Sequence, residues 1–174
     1  WSLHGHWSPE QQACDLRQSL LMNMDHTPVY PRDLVIEALC SKSCVKQDIY
    51  RRTQDVFAQL KEVASELAND LAEVVVKKDD RIQVTYKEVS ATACELGLAG
   101  DVVFLNMHTN VFRLDQSNSL WKTSYLEEDE MRGYFGVVNM YNFLSDSLRY
   151  HREQDLGYLV ARLFINKDGH FFMQ

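Results

Sequence analysis

Glu73-Val-Val-Val76-Lys-Lys-Asp-Asp80-Arg-Ile82-Gln-Val84-Thr-Tyr86-Lys87 is the stretch in which the spacing of apolar residues changes its period. Before it, from Gln47 to Val75, the residues Ile49, Val56, Leu60, Val63, Leu67, Leu71 and Val74 step by threes and fours, with Thr53 filling the one wide gap. Phe57, Ala64 and Ala68 widen that stripe, and no glycine or proline interrupts it, which is the pattern of one long amphipathic helix. At ~1.5 Å per residue it reaches about 40 Å, enough to wrap one side of a sheet or to extend to a partner chain. Asp70 on the seam speaks against a coiled coil. After Asp80 the residues alternate, with Ile82, Val84 and Tyr86 on one side and Gln83, Thr85 and Lys87 on the other, which is the period of a half-buried strand.

Toward the amino end, Ser8-Pro9-Glu10 is a helix start, with a hydroxyl cap, proline at the first position and an acid against the positive end. That helix is expected to run to about Asp25, and Tyr30-Pro31-Arg32-Asp33 opens a second one carrying Leu34, Val35, Ala38 and Leu39. Residues 1–7 carry no secretory signal and read as a tail or scar outside the fold. Toward the carboxyl end, strands are expected over Thr92–Leu98 and Val102–Met107. Asn110–Leu114 is expected to pair with the latter or with a strand over Leu120–Leu126. Met140, Phe143, Leu144 and Leu148 predict a helix from Asn139 to about Tyr150. Asn166-Lys-Asp-Gly169 between apolar runs predicts a closing hairpin from Gly157 to Met173. Close succession of strands favours antiparallel pairing over βαβ crossovers. The expected fold is therefore α+β, a single domain over residues 8–174. Its helices occupy 8–76, and a curved antiparallel sheet with one inserted helix occupies 81–174.

The chain holds 25 acidic and 18 basic residues, a net charge of −7, and its basic groupings Arg51–Arg52, Lys77–Lys78 and Arg149/Arg152 all have acidic neighbours. A phosphate backbone is repelled by that field, so no nucleic-acid partner is expected. No apolar run approaches the ~20 residues that span a bilayer, and no membrane partner is expected. Cys14, Cys40, Cys44 and Cys94 are expected to be reduced and buried in a cytoplasmic protein, Cys40 in the core.

Candidate chemistry is sparse. His4 and His6 flank one glycine, and Cys40 and Cys44 stand one turn apart, but neither pair has the further ligands a structural zinc needs, so no metal and no cofactor is expected. His108, within Asn106-Met-His-Thr-Asn110, is the one candidate base, with an amide as its orienter; the same residues equally describe a tight polar turn. His151 with Arg149, Arg152 and Asp155 reads as the polar end of a helix, and the Glu127–Glu130 run as a solvated loop or a helix's first turn. There is no nucleophile elbow, phosphate loop or dinucleotide fingerprint. Tyrosines concentrate in the second half, and Tyr125, Tyr134, Tyr141 and Tyr158 are the candidate lining of a ligand cleft or a protein contact. The expectation is a non-catalytic protein-interaction or ligand-sensing domain, with self-association along the long helix. The alternative is a small hydrolase-like enzyme centred on His108.

Overall fold

A computed structural model describes residues 30–152 and 154–174. The tail and the helix expected from Ser8 to Asp25 lie outside these residues. The chain divides into two compact units, Trp1–Glu37 and Ala38–Gln174. In the first, Tyr30 precedes helix α1 (Pro31–Ala38), where proline takes the first helical position as its fixed φ favours, and Leu34, Val35 and Ile36 are exposed.

In the second unit a π-helical turn, Leu39–Ser43, precedes α2 (Cys44–Val76), 33 residues long and about 50 Å at ~1.5 Å per residue. Ile49, Thr53, Phe57, Ala64 and Ala68 form its buried line, with Val56 and Leu60 beside it. Val63, Leu67 and Val74 of the expected stripe are exposed instead. At Thr53 the helix approaches the sheet closely. Small side chains let α2 lie near the sheet, and at Gly136 a methyl group would collide with the Thr53 side chain. The helix stops where Lys78 and Asp79 both donate backbone N–H to the Val75 carbonyl. The Asp79 carboxylate then accepts from the Arg81 backbone N–H at 3.0 Å and the Arg81 guanidinium at 2.6 and 2.9 Å.

Seven strands follow: β1 (Val84–Ser90), β2 (Ala93–Leu98), β3 (Asp101–Met107), β4 (Phe112–Arg113), β5 (Tyr134–Leu144), β6 (Tyr158–Asn166) and β7 (Phe171–Met173). All pairings are antiparallel, in the order β1-β2-β3-β5-β6-β7, and β4 continues the β3 edge of β5 beyond the end of β3. The α+β class holds: α2 covers one face of an open, curved sheet. Phe57 meets Cys94, Leu105, Met107, Val138, Leu163 and Ile165 there. The closing hairpin is as expected, with Gly169 at φ +81° and the Asn166 N–H donating to the His170 carbonyl at 3.0 Å.

Two expected elements are different. Asn139 to Leu144 is not helical. It is the second half of β5, and only α4 (Ser145–Arg149) follows it. Phe135, Val137–Val138, Tyr141 and Phe143 are β-formers, and pairing with β3 on one edge and β6 on the other overrides the chance helical spacing of Met140, Phe143 and Leu144. Leu120–Leu126 is not a strand either. Asn118 accepts the Leu120 N–H to cap a 3-10 turn, Ser119–Lys122, and α3 (Ser124–Glu128) follows. Short polar side chains hold the backbone locally there and leave no ladder to extend. In the acidic run, Glu127 and Glu128 lie in α3, and Asp129 accepts the Met131 N–H at 2.9 Å.

Candidate functional site

Strand β5 has two buried sides. Val138 and Met140 point to α2, while Phe135, Val137, Asn139 and Tyr141 line a groove on the opposite face. Register brings Arg162 of β6 opposite Asn139 and Phe164 opposite Val137, completing the floor. The wall is made by the chain after β3. The His108 N–H donates to the Val137 carbonyl at 2.8 Å, extending the ladder by one residue, and His108 Nδ1 accepts the Asn110 N–H at 3.0 Å to turn the chain. Phe112 and Arg113 then pair with Phe135 and Tyr134, and the Leu114 N–H donates to the Gly133 carbonyl at 2.8 Å. The groove, partly open to solvent, is about 450 Å³ and is lined also by Leu114 and Asp115.

Its apolar end is an aromatic cluster. Phe164 stacks on Phe172 at 4.5 Å, and Phe135 stands edge-on to both. The His108 ring lies edge-on to Phe112 at 4.6 Å. The polar groups differ in how far they are already engaged. Arg113 pairs with Glu130 at 3.4 Å and lies over the Trp121 ring. Asp115 accepts from the Ser117 hydroxyl at 2.6 Å and N–H at 2.8 Å, which hold its carboxyl below the usual range. Asn139 is 9% exposed, and its side chain makes no hydrogen bond with the described residues. The Arg162 side chain likewise makes neither hydrogen bond nor ion pair among them.

His108 and Tyr141 are thus brought together at the groove. The other candidate tyrosines are not. Tyr134 lies beside β4 with Lys46 and Arg113 over its ring, and Tyr158 is exposed at the start of β6. Tyr125 lines a separate cavity of about 140 Å³ with Asn166, His170 and Phe172. There its hydroxyl, pushed up in pKa by burial, meets His170 Nδ1 at 2.7 Å, the Asn166 amide at 2.8 Å and Asp168 at 3.2 Å. Arg132 stacks on the Tyr125 ring and bridges Asp168 at 2.9 Å and Glu128 at 3.0 Å, and Lys167 pairs with Asp129. This knot ties the segment around α3 to the closing hairpin turn.

Sequence reasoning missed Asn139 and Arg162. Reading Phe135 to Phe143 with a period of two would have exposed a lone amide in an apolar row, but Arg162 needed the register of β6 against β5. Among the described residues no group of His, Cys, Asp or Glu has the geometry to hold a metal ion. Cys40 and Cys44 are free and exposed, contrary to the burial expected for both and the core position expected for Cys40, because the π-helical turn and first residue of α2 that carry them bury nothing; Cys14 lies outside the described residues. Cys94 is buried, and burial pushes its thiol up. No described helix is long and apolar enough to cross a membrane. No family model matches this chain, and no curated protein or solved structure matches it either.

Proposed function

We propose that this chain is a non-catalytic ligand-binding domain whose site is the groove on the sheet face opposite α2. The observation that carries this reading is Asn139, a residue 9% exposed beside Phe135, Val137, Tyr141 and Phe164, whose amide is accessible from the groove and hydrogen-bonded to none of the described residues. Neither polar atom of that amide is sealed from solvent, so at the groove floor it is open to a ligand and can orient one against the apolar lining. The state of His108 supports a binding role over a base. Its Nδ1 lone pair accepts from Asn110, so the neutral ring carries its proton on Nε2 and presents a donor.

The test is saturable binding of N-phenyl-1-naphthylamine, a neutral apolar fluorophore, to the full chain. Phe164→Ala is expected to weaken binding at least fivefold, while the exposed Val63→Ser/Leu67→Ser pair on α2 leaves it unchanged. Absence of saturable binding, or equal losses in the two variants, would end this reading. Self-association of two copies along α2 is a second reading, supported by the exposed line Val63, Leu67 and Val74. Sedimentation shows a dimer dispersed by Val63→Ser/Leu67→Ser if it holds, and a monomer at every concentration if it does not.

A further inference from the structure

We propose that the groove's ligand is an amphipathic organic anion, an apolar body ending in a carboxylate, and that Arg162 receives the charge. This rests on the groove being a binding site, as argued above, and goes further by assigning the ligand's chemical class. The chain as a whole carries −7, yet the groove lining holds two arginines against one aspartate. Of those three, Arg113 is neutralised by Glu130 and Asp115 is engaged by Ser117, which leaves Arg162 as the cation without a counter-ion among the described residues.

Arg162 stands directly across from Asn139 in the β5–β6 ladder, and side chains opposed in this way start about 5 Å apart. A guanidinium and an amide N–H at that separation reach the two oxygens of one carboxylate. His108 adds an Nε2–H donor from the opposite wall. Available groups are therefore mostly donors, and the ligand has to bring the acceptors. Phe135, Val137, Tyr141 and Phe164 supply the apolar surface for its body. A neutral alcohol of the same length fills that surface but leaves Arg162 unanswered.

The experiment displaces N-phenyl-1-naphthylamine from the full chain with octanoate and with 1-octanol, at pH 7 and low salt. Octanoate is expected to displace the fluorophore at a concentration at least tenfold lower than octanol does. Arg162→Gln is expected to remove that preference and Arg162→Lys to retain part of it, with each variant's own fluorophore affinity measured first and the acid-to-alcohol ratio taken within that variant. Arg162 is exposed, so the variant's melting temperature should match that of the parent. Equal potency of acid and alcohol on the parent, or an octanoate preference that survives in Arg162→Gln, overturns the assignment while leaving the groove a binding site. If the fluorophore itself does not bind, the groove reading falls and this inference with it.

Discussion

A hydrogen in place of a side chain on Gly136 sets how closely α2 approaches β5. Any methyl there meets Thr53, which is fully buried with its hydroxyl donating to the Ile49 carbonyl at 2.7 Å. Gly136→Ala is therefore expected to destabilise the fold by about 1–3 kcal/mol in urea unfolding. Combining it with Thr53→Ala should cost less than the sum of the single changes, because the colliding hydroxyl and methyl have gone. Strict additivity would mean that the two residues do not touch. Tyr86 gives a second prediction. Burial first, then Cys94 and Glu88, push its phenol from 10.0 to about 12. A proton held more tightly in the folded state means stability that is complete below pH 10 and lost as pH rises through 12. Tyr86→Phe should flatten the fall in melting temperature across that window relative to the parent. Parallel curves would contradict it.

Among the elements, the legible ones were those whose pattern is local. The run from Gln47 to Val75 announces α2 because a helix satisfies its own backbone, and Asp168-Gly169 announces the hairpin because φ > 0 there is glycine's. The strand β5 is defined by its neighbours, so Met140, Phe143 and Leu144 showed a helical spacing that pairing overrode. Which side of α2 faces the core was legible only in part. Ile49, Phe57, Ala64 and Ala68 of the expected stripe do face inward, whereas Val63, Leu67 and Val74 are exposed. The segment of turns around α3 is held by side chains, and the Tyr125 hydroxyl is its junction with the β6–β7 turn. Tyr125→Phe leaves the Asn166 amide, 1% exposed, without its acceptor. The expected loss is about 1–3 kcal/mol, with faster amide exchange over residues 124–133. Exchange that speeds up only globally would show that the knot does not hold that segment.

Seen whole, the 38–174 unit has one sheet face sealed by a helix and the other closed over only in part. Partial closure leaves a groove with an amide and a guanidinium on adjacent strands that have no partner among the described residues. The sequence held His108 and Tyr141 in view but not the pair that gives the groove its chemistry, because Asn139 and Arg162 meet only through a strand register that no local pattern announces. Titration of the isotopically labelled chain with N-phenyl-1-naphthylamine, followed by backbone amide shifts, tests the binding claim most directly. Shifts concentrated at His108, Val137, Asn139, Tyr141, Arg162 and Phe164, with the exposed line of α2 silent, are predicted. Shifts at Val63 and Leu67 instead, or none anywhere, would contradict it.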